Sequence, residues 1–263
     1  MAAYEINFGD VALSLILMAL ALAVSRSQRL GLEKNLAIGT VRTFVQLTLI
    51  GFALRILFQA SSPWVFFAVV AVMLTVASYE CVRRQDIRLP HFFFIVLGSL
   101  GLALAVSLGV VVTLIIRPDP WFNLVVTIPL SGMVLGNGMN VISLSANRFL
   151  SELHLRRDEV EVALSLAAPP RQALHPAFRN AVTGAMIPSV NALMTVGLVQ
   201  LPGVMTGQIL AGISPVEAVK FQIVIMMMWV TTGVLSGVTA TLLLMASLVN
   251  RRWQVRWERI PGS

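Results

Sequence analysis

Few side chains in this 263-residue chain can bind or conduct a polar solute, and most of those lie inside long apolar stretches. Asn137 and Asn140 stand three positions apart, hence on one face of any helix that carries them. Gln46 and Asn191 fall in other apolar stretches and are placed to hydrogen-bond across to that face. Amides inside a bilayer mark either helix contacts or a wet path. Interhelical bonds of this kind contribute only about 0.6 kcal/mol on average, so a polar translocation seam is the preferred reading. Glu80 and Cys81, at the end of another apolar stretch, are candidates for a cytoplasmic access point for a cation. Met226, Met227 and Met228, with Met133, Met139, Met186, Met194 and Met205, offer thioethers, which suit soft ions. Three consecutive methionines point three ways around a helix, so packing is the expected role.

Catalytic constellations are missing. No phosphate-cradling GxxxxGK(S/T), HExxH, CxxC or GxSxG pattern occurs. His91, His154 and His175 lack metal-ligand spacing, and Cys81 is the single cysteine. No acidic residue falls deep in an apolar stretch, so neither an intramembrane hydrolase nor a proton-coupled carrier has its ionisable group. The chain is therefore expected not to be an enzyme and to bind no cofactor of its own.

The elements that position these groups follow from composition. Hydrophobic residues make up 57% and charged residues 12% of the chain, and mean hydropathy is +0.84. Charged residues supply roughly a quarter of an ordinary soluble protein, so the lipid bilayer is the implied solvent. The net charge of +7 resides in short basic clusters between apolar runs, which argues for membrane topology and against nucleic acid. Seven stretches approach the length of a membrane-spanning helix: 8–24, 36–58, 64–81, 92–116, 122–146, 181–200 and 221–249. The region 201–219, with two prolines and three glycines, reads as a re-entrant or broken helix.

Basic residues cluster after the first stretch (Arg26, Arg29, Lys34), the third (Arg83, Arg84, Arg88), the fifth (Arg148, Arg156, Arg157, Arg171, Arg179) and the last (Arg251, Arg252, Arg256, Arg259). The positive-inside rule then places the N-terminus outside and the C-terminus in the cytoplasm. The expected fold is all-α and polytopic, with about seven transmembrane helices, in a bacterial cytoplasmic (inner) membrane. Arg42 and Arg55 lie near span ends, where snorkelling accommodates them. Gly132 with Gly136, Gly203 with Gly207, and Gly233 with Gly237 form small-xxx-small pairs suited to close helix packing. Residues 1–263 read as one transmembrane domain, with 147–180 as a cytoplasmic segment within it.

That segment carries the sharpest motif. RRDEVEVALSLAA at 156–168 predicts a short helix with acids in its first turn, which the helix dipole favours. Pro169 and Pro170 end it, and a second helix starts at Pro170 and runs into the next span. Glu161, Val162, Ala163, three further residues and Ala167 resemble the EAA-xxx-G coupling loop of ABC importer-type permeases. Ala168, Pro169, Pro170, Arg171 and Gln172 resemble the stretch that follows it, and Ala167 stands where the loop has glycine.

The segments LEKNLAIGTVRTFVQLTLIGFALRILF, IPLSGMVLGNGMNVISLS and NALMTVGLVQLPGVMTGQILAGISPVEAVKFQI closely resemble the Fet-type iron-export ABC permease family, whose plant relatives are linked to aluminium tolerance. The resemblance covers about 32–244 and is most specific over 196–223. It implies a membrane subunit, working as a homodimer, that exports iron and pairs with a separate ATP-binding subunit, which uses the ATP and Mg. In that setting Glu161, Ala163, Ala167, Pro170 and Arg171 would form the ATPase-coupling loop. Another cargo, such as a nucleotide sugar or a lipid-like molecule, is the alternative for an ABC permease. A stand-alone secondary carrier or channel is the rival of another class.

Overall fold

A computed structural model describes residues 7–59, 62–85, 87, 89, 91–250 and 252–259. Arg88 and Arg251 of the basic clusters lie outside the described residues. The chain divides into two compact units, Met1–Ala60 and Ser61–Ser263. The first holds α1 (Phe8–Leu13), α2 (Leu15–Ser27) and α3 (Glu33–Leu57). Ser25 at the end of α2 donates to the Glu33 carboxylate at 2.9 Å, fastening the turn between α2 and α3. Gln46 lies on α3 in this unit.

The second unit holds α4 (Pro63–Arg83), α5 (Phe92–Val110) extended by a π-helical turn (Val111–Ile116), α6 (Leu124–Leu155), α7 (Arg157–Ser165), α8 (Pro170–Thr195), α9 (Gly203–Leu210) and α10 (Pro215–Leu248). Its helix starts are written in local chemistry. The Asn123 side chain accepts from the Val125 amide at the head of α6. Ser214 accepts from the Glu217 amide ahead of Pro215, a proline in the first turn where no donor is lost.

Among the described residues, six helices are long and apolar enough to cross a membrane: Gly9–Ser27, Glu33–Leu57, Pro63–Arg83, Phe92–Ile116, Leu124–Leu155 and Pro215–Leu248. The expected span at 181–200 is not among them as such. It forms the second half of α8, a helix of 26 residues whose first half is polar and which carries Pro176 and Pro188 internally. The region 201–219 resolves into the short helix α9, a turn, and the first turn of α10. At 1.5 Å per residue α6 is about 48 Å long, well beyond a hydrocarbon core of about 30 Å, so residues 147–155 continue the span as a rigid stem.

The core of this unit is the meeting of α6 with α10, α8 and α4, and of α10 with α5. Phe149, Ile142, Val134 and Leu153 of α6, Leu174 and Ala181 of α8, and Ile225, Leu244 and Leu248 of α10 are fully buried. Glycine permits close contacts along α6 and α10. A Cβ on Gly237 would lie 2.7 Å from Val141 Cγ1, one on Gly233 2.8 Å from Asn137 Nδ2, and one on Gly138 2.8 Å from Leu100 Cδ2. Gly132 also faces a neighbour, Met73 Cε, at 3.2 Å. Gly136, Gly203 and Gly207, expected to pack in the same way, have open space where a Cβ would go, so the tight seam belongs to Gly138, Gly233 and Gly237.

This contrast is measurable. Gly237→Ala forces its Cβ against Val141, whose branched side chain has one favoured rotamer in a helix and cannot swing aside. The expected cost is about 1–3 kcal/mol, seen as a lowered thermal unfolding midpoint in detergent, while Gly203→Ala leaves the midpoint unchanged. Equal midpoints for the two variants would remove the packing role of the α6–α10 contact.

Candidate functional site

Two neighbourhoods collect the polar chemistry of the second unit. The first is the segment between α6 and α8. Asp158 and Glu159 occupy the first turn of α7, where the helix dipole favours them. Val160 is buried, whereas Val162 and Leu166 are exposed at 59% and 79%, so α7 turns an apolar strip outward from an otherwise polar segment. The stem beneath it is braced: Asn180 of α8 donates to Glu152 of α6 at 3.1 Å, and Arg156 donates to the same carboxylate at 3.2 Å.

The end of α7 is a Schellman motif, with the Ala168 amide bonded to the Ala163 carbonyl and the Ala167 amide to the Leu164 carbonyl. Ala167 occupies the left-handed position of that motif, at φ +61°. The glycine of the resembled loop would hold this conformation without the clash an L side chain suffers there. Pro169 and Pro170 then start α8, and Arg171 lies with Gln172, His175 and Pro176 along an open concavity of about 470 Å³. Glu161, exposed on α7, accepts a hydrogen bond from the Trp257 indole N–H.

The second neighbourhood is a buried polar seam. Asn137 of α6 donates from Nδ2 to the Trp229 carbonyl of α10 at 2.7 Å, and Ser189 of α8 donates to its Oδ1 at 3.4 Å. One helical turn along α10, Thr232 donates to Ser107 of α5 at 2.7 Å. Asn137 thus ties three helices together. Of the other residues expected along this path, Asn140 and Asn191 are exposed on this unit, and Gln46 lies on α3 of the first unit. Two positions along α8 rotate the side chain by about 200°, which is why Ser189 faces Asn137 and Asn191 does not.

Gln222 of α10 was not singled out from sequence, although it is the first amide in the stretch 221–249. It is 4% exposed, and its Oε1 has no hydrogen-bond partner. It borders two adjoining cavities of about 300 and 220 Å³ between the end of α8, α9 and α10, which share Val196, Pro202, Gln222 and Met226. Met205, Met226 and Met227 line the larger cavity and Met133 with Met226 the smaller, while Met228 is buried and lines neither. Glu80 and Cys81 point apart. Glu80 lies 3.7 Å and 4.0 Å from Arg83 and Arg84, and Cys81 is fully buried with its sulfur 3.3 Å from Ser143 Oγ. Among the described residues no group of three or more His, Cys, Asp or Glu side chains is placed to hold a metal ion.

Comparison with known proteins adds the family. The family described as "Uncharacterised protein family (UPF0014)" matches residues 8–249. The chain belongs to the UPF0014 family. It is 35% identical over 250 residues to the UPF0014 membrane protein YjkA of Bacillus subtilis, covering 95% of this chain and 98% of that protein. It is 33% identical over 246 residues to the Protein ALUMINUM SENSITIVE 3 of Arabidopsis thaliana, covering 93% and 88%. It is 31% identical over 256 residues to the probable iron export permease protein FetB of Escherichia coli, covering 97% of each. No solved structure matches. Family membership and the apolar helices together make this an all-helical membrane protein of a permease family.

The left-handed cap yields a prediction with a sign. Ala167→Gly relieves a conformation that costs an L residue about 1–2 kcal/mol, against about 0.4–1 kcal/mol of added chain entropy in the unfolded state. Amide exchange at the end of α7 is expected to slow in Ala167→Gly and to quicken in Ala167→Val, whose branched side chain tolerates this region least. Exchange unaltered in both would show that the cap does not hold the helix end.

Proposed function

We propose that this chain is the membrane-spanning subunit of an ATP-driven ABC exporter. In this reading the segment 147–180 receives the motion of a separate ATP-binding subunit, and the seam at Asn137 opens in response. The observation that carries it is the placement of α7: a short, outward-facing helix set between the two helices, α6 and α8, that hold Asn137 and Ser189. Its exposed Val162 and Leu166 suit burial in a partner's groove, with Arg171 at the rim. ATP and Mg belong to the partner, and the chain catalyses no reaction itself.

The same reading places the protein in a bacterial inner membrane, with its N-terminus outside and its C-terminus inside. The second half of α8 serves as the seventh span, and both units form one permease domain that works as a homodimer. Arg148, Arg156, Arg157, Arg171 and Arg179, with the arginines after α10, support that orientation. Iron is the favoured cargo because FetB is named a probable iron export permease. The cavities around Gln222 favour a second reading of the cargo, since apolar walls with one unpartnered amide oxygen suit an organic molecule carrying a hydrogen-bond donor.

Affinity purification of the tagged chain from its native membrane, followed by an ATPase assay with and without ferrous iron, tests the proposal. A co-purifying ATPase stimulated by iron is expected. Leu166→Arg should cut the co-purified ATPase by about tenfold while the chain stays in the membrane, the scale expected when a charge replaces one apolar anchor of an interface. A chain that purifies alone overturns the ABC assignment in favour of a stand-alone carrier. Stimulation by an organic donor-bearing solute and not by iron would replace the cargo and keep the mechanism. Gln222→Leu separates the two cargoes, because it should raise the half-saturating concentration only for a solute that uses the amide oxygen.

A further inference from the structure

The residues after α10 do not trail away from the bundle. The Asn250 side chain accepts from the amides of Arg252 and Gln254 at 2.8 and 3.0 Å, and Val249 pairs with Val255 in an antiparallel bridge. The Arg256 amide bonds back to the Leu248 carbonyl at 2.9 Å. The chain thereby reverses at the end of α10 and buries Val255 and Trp257. Trp257 lands on α7. Its indole N–H donates to Glu161, and the Arg157 guanidinium lies over its ring, 5.0 Å from the centroid. Arg157 and Glu161 are four residues apart, hence on one face of α7, and grip the indole by its π face and its polar edge.

From this geometry we infer that Trp257 is a positioning residue that locks α7 to α10, so that movement of α7 reaches all three helices that Asn137 ties together. The inference rests on the coupling role proposed for α7. Two of the connections are covalent, since α7 is joined at one end to α6 and at the other, through the turn at Ala167, to α8. Those helices carry Asn137 and Ser189. The third seam member is the Trp229 carbonyl on α10, which has no chain connection to α7 near the cytoplasmic segment. Trp257 supplies it. The motif residue Glu161 therefore serves an internal contact, and the partner-facing work on α7 falls to Val162 and Leu166.

Two readouts decide the matter. The first needs no partner: amide exchange of the purified chain in nanodiscs. Trp257→Ala should quicken exchange across 160–165 by about tenfold, and Trp257→Phe, which keeps the ring and loses the N–H, by a smaller factor. Glu161→Gln retains an acceptor oxygen and should stay near the wild type, whereas Glu161→Leu should match Trp257→Phe, and the double variant should add nothing further. The second readout is ferrous iron exported per ATP hydrolysed, in proteoliposomes holding the chain with its co-purified ATPase. In Trp257→Phe this ratio should fall by about fivefold, within the range that transmitting contacts carry, with the amount of bound ATPase unchanged.

Unaltered exchange in Trp257→Ala would overturn the lock, as would Glu161→Gln behaving like Glu161→Leu. A normal export-to-hydrolysis ratio in both tryptophan variants would overturn the transmission role even if exchange quickened. A wild-type chain without any bound ATPase defeats the coupling reading itself, and with it transmission, while the exchange readout still decides whether Trp257 holds α7.

Discussion

A bilayer offers no water to a backbone carbonyl or an amide side chain, so each polar group in the interior must find its partner within the protein. The contact of α6 with α10 meets that demand at one place. Gly233 and Gly237 remove the side chains that would keep the helices apart, and Asn137 and Val141 fill the space. Only at that separation does the Asn137 amide reach the Trp229 carbonyl at 2.7 Å. Packing and hydrogen bonding are thus one event here, and the orientation of α8 follows, because Ser189 must face the oxygen that Asn137 leaves over. The hydrophobic effect cannot drive this assembly, since lipid tails are as apolar as leucine.

The same contact bears on how the segment between α6 and α8 is anchored. α6 continues as a stem to Leu155, and α8 begins at Pro170, so α7 hangs between two helices already fixed to each other. Glu152 and Asn180 extend that fixing across the stems. A short helix held at both ends and clasped from a third side is restrained as one body, which is what the coupling role proposed for it requires.

Much of this was legible in the chain. Long apolar runs located the spanning helices, since backbone self-sufficiency leaves helices as the option for such runs. Pro169 and Pro170 marked the break between α7 and α8, because proline stops one helix and starts another. Other features were hidden for physical reasons. Asn137 pairs with a backbone carbonyl, which has no residue type to read. Ala167 holds a left-handed conformation that alanine does not advertise, and the one hint was its standing at the glycine position of the resembled loop. Trp257 and Glu161 are 96 residues apart, so no local pattern joins them. The span expected at 181–200 is cut short because α8 ends at Thr195 and its first half is polar, which leaves an apolar half of under about 20 residues.

The gathering of Met133, Met205, Met226 and Met227 around Gln222 bears on what a permease of this shape would carry. Thioethers bind soft ions, yet no carboxylate, imidazole or thiol stands among the lining residues, so a hard cation such as iron would find only the side-chain amides of Gln200 and Gln222. A dehydrated hard ion at such a wall would forfeit most of its hydration energy without replacement. The flexible, polarisable side chains adapt instead to varied apolar shapes. If iron is the cargo, this wall fits it as a complex whose ligands already satisfy the metal and present an apolar exterior with a donor for Gln222. The described residues bring no set of metal ligands together, so iron at this wall would have to bring its coordination shell with it.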